Sequence, residues 1–159
     1  MAFDSEIAAL RKAVAQRLQA APEFDGIRIL ELKPGDIANE IERSLAKIGI
    51  AIIVAVTSFE VQSSQSARLV LDPVRIQVEV QEDLITNRTG REALYLVERV
   101  LARLKLATIQ LQPNERAIIQ PAKPGVVYLS AMRGDERKDS YLHGWEIFFE
   151  TRMSLQPAA

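Results

Sequence analysis

Residues 74–81 read VRIQVEVQ, and no other stretch constrains the fold as tightly. Val74, Ile76, Val78 and Val80 alternate with Arg75, Gln77, Glu79 and Gln81. A period of two places the two sets on opposite faces of a β-strand. The chain must therefore build a sheet with one face in an apolar core and the other polar. Upstream, IAIIVAVTSFEV at 50–61 is a dense β-branched run. It predicts a central strand, covered on both faces in its first half and with one face turning wet from Thr57 to Val61. The polar QSSQS at 62–66 separates it from further strand material, so a long β-hairpin is expected, with Pro73 marking a bend, an edge or a bulge. Near the C-terminus Trp145, Ile147, Phe149, Thr151 and Met153 alternate with Glu146, Phe148, Glu150 and Arg152, a strand with large aromatic anchors.

Three segments show helical spacing instead. Asp4 and Ser5 are good N-caps for a helix carrying Ile7, Leu10, Val14 and Leu18, which Pro22 closes. Asp36 can cap a second helix with Ile37, Ile41, Leu45 and Ile48 on one stripe and Gly49 as its stop. Thr89 and Glu92 match a capping box, predicting a third helix with Leu94, Val97, Leu101 and Leu104 toward the core, widened by Ala93 and Val100. A short strand at IRILELK and three more at TIQLQ, RAIIQ and GVVYL complete the order. The expected fold class is α+β: one compact domain over residues 1–159, with a largely antiparallel or mixed sheet and about three helices packed on one face.

Bulk properties narrow the function. At 159 residues, with 48% hydrophobic and 26% charged side chains, the chain can bury a real core. Its net charge of −1 gives no general pull toward nucleic acid or an anionic membrane. The absence of cysteine removes disulfides, thiol nucleophiles and thiolate metal sites. The N-terminal residues lack the basic start and apolar stretch of a signal peptide, and the run at 48–56 falls well short of the roughly 20 residues of a membrane helix. Folding in the cytoplasm is the expectation.

Chemistry-bearing motifs are sparse. His143 is the single histidine, and its sequence context offers it no nucleophile or ligand set, so it is read as structural or superficial. Glu79, Glu82 and Asp83 can be imagined around magnesium, but no phosphate loop or paired-Asp pattern accompanies them, and a solvated strand end is the better reading. Arg133-Gly134-Asp135 reads as a turn, and Asn87-Arg88-Thr89 as an exposed helix cap. Arg88, Arg91, Arg99, Arg103 and Lys105 are interleaved with Glu92 and Glu98, and no aromatic stacking set accompanies them, which argues against a nucleic-acid reader.

The order and texture of SEIAALRKAVAQRL, DIANEIERSLAKIG, IAIIVAV, the alternating strand running through a short loop into TGREALYLVERVLARL, and WEIFFETRMSL together resemble the small tail proteins of long-tailed bacteriophages, in particular the tail-terminator and Mu-like families. The proline-containing stretch at 113–125 has no identified counterpart in them. The resemblance implies a structural virion protein without catalysis, metal or cofactor. It implies a ring, a homohexamer in that family, which caps the tail tube, ends its polymerisation and joins the tail to the head or neck. The implied partners are other copies of the chain, the tube protein, a sheath protein if the tail contracts, and a head-completion or neck protein. The implied location is the host bacterial cytoplasm during assembly and then the virion tail. On this reading Arg75, Gln77, Glu79 and Gln81 meet a neighbouring subunit or a hydrated lumen, while Gln62, Ser63, Arg133, Asp135, Arg137 and Lys138, in the loops at 62–66 and 133–140, meet the next ring or sheath. Two other readings stay open: a non-catalytic adaptor, connector or chaperone of tail assembly, and a small carboxylate-dependent enzyme.

Overall fold

In a computed structural model the chain is described over residues 5–62, 69–112, 115–118, 120–121, 127–131 and 141–155. Helix α1 (Glu6–Ala20) starts at Ser5, whose hydroxyl accepts the Ala8 amide at 3.1 Å. It presents Leu10, Val14 and Leu18 to the core and runs into a single 3-10 turn, Pro22–Phe24, as Pro22 requires. Then follow β1 (Ile29–Glu31), α2 (Ile37–Ile48), β2 (Ile50–Gln62), β3 (Leu69–Asp83), α3 (Ala93–Leu104), β4 (Thr108–Gln112), β5 (Glu115–Ile118), β6 (Gln120–Pro121), β7 (Val127–Ala131) and β8 (Leu142–Leu155).

The main sheet is mixed, in the order β1-β2-β3-β8-β6, with β7 also pairing β8. Only β1 and β2 run parallel; the other pairs are antiparallel. Strands β2 and β3 form the expected long hairpin, with Val54 opposite Val78 and Val61 opposite Leu71. Pro73 sits within β3 at a register shift against β8 between Leu71 and Val74. The hairpin of β4 and β5 forms a separate two-stranded sheet.

Layering departs from the sequence expectation. Helices α1 and α3 cover one face, where Leu10, Val14, Leu18, Phe24, Leu96, Val100 and Leu104 pack on Ile52, Val54, Val74, Ile76, Val78, Ile147 and Phe149. Helix α2 lies on the opposite face, where Ile37, Ile41 and Leu45 pack on Leu30, Ala51 and Ile53. The helices are thus not all on one side. The reason is in β2: its first six residues are buried on both faces, so both faces need a cover. Alanines at 51 and 55 leave room on the α2 side.

The third helix also differs. It begins at Ala93, and neither Thr89 nor Glu92 caps it with a side chain. Thr89 instead donates its hydroxyl to Asn87 Oδ1 at 2.7 Å. The Ala93 amide donates to Glu82 Oε2 at 3.3 Å, so the cap comes from the end of β3. Glu82 is buried, not part of a solvated strand end. Its second donor is Asn87 Nδ2, at 2.6 Å. Asn87 is therefore no exposed cap: it also donates to the Arg91 carbonyl and accepts from the Thr89 amide. The core stripe of α3 is Ala93, Leu96, Val97, Val100 and Leu104, and Leu94 points outward.

The same turn locks onto α2. Gly49 ends that helix at φ +78, the left-handed C-cap that its sequence position predicts. Asp83 donates its amide to the Gly49 carbonyl and Arg88 donates to that of Ile48. A Cβ at Gly49 would lie 2.3 Å from the Asn87 backbone. Gly49→Ala is therefore expected to cost more than the roughly 1–2 kcal/mol of the left-handed backbone alone. Asn87→Ala is expected to cost about 2–3 kcal/mol, because it leaves a buried carboxylate short of a donor. Urea unfolding measures both, and wild-type midpoints would show that this junction does not hold the fold.

Candidate functional site

The polar face of β3 is built by register. Arg75 lies between Ser58 of β2 and Glu150 of β8; Gln77 between Ala55 and Phe148; Glu79 between Ile53 and Glu146; Gln81 between Ala51 and Gly144. The structure thus brings together four of the residues singled out in sequence, on the face away from α1 and α3. Helix α2 covers the β1–β2 side of that face.

The four are not equivalent. Arg75 Nε reaches Glu150 Oε1 at 3.5 Å, a largely solvated pair that contributes less than about 1 kcal/mol. Gln77 is half-buried. Gln81 is buried, and its Oε1 has no hydrogen-bond partner among the described residues. Glu79 is half-buried, and its carboxyl is pushed above the ordinary carboxylate value. Burial is the main cause; the hydrogen bond from Gln81 works against it, and repulsion from Glu146 adds to it. Two acids thus face each other in mid-sheet with a neutral amide beside them.

Gln62 lies apart, at the far end of the hairpin, where its Nε2 donates to the Asp72 carbonyl and braces β2 against β3. Ser63, Arg133, Asp135, Arg137 and Lys138 lie outside the described residues, as does the Arg133-Gly134-Asp135 turn.

Of the basic set, three members are engaged internally: Arg99 lies over the Tyr95 ring, 6.0 Å from its centroid, and Arg91 and Arg103 both reach Glu23. Arg103 forms a two-pronged pair with Glu23, its Nε 2.7 Å from Oε2, and Arg91 Nη1 donates to the Glu23 carbonyl at 2.8 Å. The Arg103 hydrogen bond holds the Glu23 carboxyl below its usual value. His143 is half-buried on β8, opposite Glu82. Among the described residues no group of three or more His, Cys, Asp or Glu side chains could hold a metal ion, and no helix is long and apolar enough to cross a membrane.

Sequence reasoning missed two exposed apolar clusters. Phe59, Val61 and Leu69 lie at the far end of the β2–β3 hairpin, and Leu84, Ile85 and Tyr141 lie at the opposite end of β3. From Thr57 to Gln62 every residue of β2 is exposed, so the strand outruns its cover on both faces instead of turning one face to water. The only sequence signal was apolar residues adjoining a polar loop.

No family model matches the chain, and no curated protein matches it. Its fold does match solved structures. One is a chain described as "Virion of native gene transfer agent (GTA) particle", 17% identical, with a TM-score of 0.57 over 95% of this chain and 98% of that one. Another is described as the sheath/tube terminator, in the extended state, of an extracellular contractile injection system called PVC. It is 14% identical with a TM-score of 0.40, over 98% of this chain and 58% of that one, an overlap too loose to define a shared topology. The first match establishes a common fold along nearly the whole length of both chains.

Glu79 supplies a test of this face. Its raised folded value means that the native state binds the proton more tightly than the unfolded chain, so its contribution to stability is present at low pH and is lost as pH rises through the folded value. Glu79→Gln is expected to raise the melting temperature at pH 7, with the gain shrinking as the pH falls toward the ordinary carboxylate range. A gain that is independent of pH, or a loss at pH 7, would contradict the burial argument.

Proposed function

We propose that this chain is a structural tail protein of a phage or phage-derived particle. Copies of it form a ring, a homohexamer, which caps the tail tube, ends its polymerisation and joins the tail to the head or neck. The observation that carries the reading is the end-to-end fold match with a virion chain. The tail-terminator resemblance of the sequence points the same way. The partners on this reading are the chain itself, the tube protein, a sheath protein where the tail contracts, and a head-completion or neck protein. Assembly takes place in the host cytoplasm and the finished location is the virion tail.

The chemistry suits such a role. The face carrying Arg75, Gln77, Glu79 and Gln81 offers charges and amides of both polarities, which fix register between subunits or line a hydrated lumen. Gln81 is buried within the protomer, so the accessible part of this face is Arg75, with Gln77 and Glu79 partly exposed. Gln62, Ser63 and the charged residues Arg133, Asp135, Arg137 and Lys138 are the proposed contacts with the next ring or sheath. None of these roles needs a catalytic group, and the protein is read as a non-enzyme.

Light scattering on a sizing column, with negative-stain microscopy of the same peak, tests this. The expected result is a mass about six times the 17.8 kDa protomer and a ring with a central hole. A peak at protomer mass that also fails to sediment with tube protein would overturn the reading.

A further inference from the structure

Arginines gather where the ends of α1 and α3 meet the 3-10 turn. Three of them have internal duties. Arg103 grips the Glu23 carboxylate with two nitrogens. Arg91 donates from Nη1 to the Glu23 carbonyl and from Nε to the Thr89 carbonyl. Arg17 Nε donates to the Arg103 carbonyl at 3.0 Å and so satisfies an acceptor in the last turn of α3.

Arg99 has no such duty. Its Nε is enclosed by the protein and has no hydrogen-bond partner among the described residues. It forms no salt bridge with a described carboxylate. Glu23 feels its charge, but less than that of Arg103. What Arg99 does have is a place: its Cζ lies over the Tyr95 ring, 6.0 Å from the centroid. The guanidinium is thus held in position by packing while its hydrogen-bonding capacity goes unused. Helix capping and the Glu23 pair account for the other three arginines and leave this one over.

Tyr95, Arg99 and Arg103 follow one another at intervals of four, so they form a single stripe along α3. The stripe is open to water. Tyr95 is 41% exposed, the Arg103 side chain 43%, and Arg99 is half-buried. Tyr and Arg are the side chains that most often carry the binding energy where two proteins meet. The charge on the stripe is in excess, since Glu23 is the one described carboxylate that pairs with any of its arginines. Asp25, Glu92 and Glu98 are exposed close by in the chain and pair with none of them. These interspersed acids break up the continuous cationic track that a phosphodiester backbone neutralises. A single carboxylate needs only one fork of guanidinium nitrogens, and Glu23 on Arg103 already displays that fit.

From this we infer that the stripe of Tyr95, Arg99 and Arg103 is a docking site for an acidic segment of a partner protein, with a carboxylate of that segment seated on the Arg99 guanidinium. Helix α3 covers the sheet face opposite the one that carries Arg75 and Glu79. The site is therefore separate from the subunit contacts proposed above and stands whether or not copies of the chain form a ring.

The test uses the full-length protein and a hexaglutamate peptide as the probe, at a salt concentration of ~0.15 M, where loose surface attraction is screened. The arginine Nε–Hε signals are followed by NMR during the titration. The Arg99 signal is expected to move and to saturate. Arg99→Gln is expected to weaken peptide binding by about tenfold or more, with an unchanged circular dichroism spectrum. Arg28→Gln, which removes an exposed arginine paired with Glu40, is expected to bind as the wild type does. An Arg99 signal that stays still overturns the inference without recourse to any variant. So does an Arg99→Gln protein that binds like the wild type, or an Arg28→Gln protein that loses as much. An oligothymidylate of matching charge that binds more tightly than the peptide overturns it as well, because phosphate would then be the preferred anion.

Discussion

A single buried carboxylate organises this domain. Glu82 is the last residue but one of β3, and burial obliges it to find donors. It finds one in the Asn87 amide and one in the first backbone N–H of α3, where the helix dipole favours negative charge. That choice fixes where α3 begins, and so the phase in which Ala93, Leu96, Val97 and Val100 meet the sheet. The turn that brings Asn87 within reach is wedged against Gly49, so the end of α2 is set by the same group of atoms. Three elements on two sides of the sheet take their positions from one side chain.

With that junction in place, the rest of the fold is a matter of cover. Strand β2 needs both faces sealed, and α2 supplies the second cover from the side opposite α1 and α3. Strands β3 and β8 are sealed firmly on one face only, which is why their other face can carry Arg75, Gln77, Glu79, Glu146 and Glu150. The connection of α1 to the sheet edge is polar and specific: the Gln19 amide both donates to the Ile27 carbonyl and accepts the Ile29 amide, and Arg11 Nε reaches Glu31 at 3.1 Å.

Strand periodicity was the most legible part of the sequence, because a half-buried strand writes its burial directly as alternation. The faces of β3 and β8 follow Val74–Val80 and Trp145–Met153 residue by residue. The stops at Gly49 and Pro22 were equally plain, since each follows from backbone geometry alone. What could not be read was non-local. Thr89 and Glu92 have the spacing of a capping box, yet the helix took its cap from Glu82, which no local pattern can announce. The run at 50–55 did announce a strand covered on both faces, but nothing local said that α2 would supply the second cover. Of the proposed contact residues, the four on β3 were placed correctly on one face, but Gln81 proved buried and Arg75 already paired. The clusters at 59–69 and 84–85 were invisible because exposure is a property of what fails to cover a residue.

The overhang of β2 beyond the helices has an evolutionary consequence. Residues 57–62 contribute hydrogen bonds to the hairpin but little to the packed interior, so their side chains answer to whatever they touch outside the protomer. Substitutions there alter the exposed surface without passing through a less stable core, and substitutions at 50–55 cannot. A lineage of such proteins would keep the inner half of this strand and vary the outer half, so that partners diverge while the fold stays recognisable in shape long after the sequences cease to match.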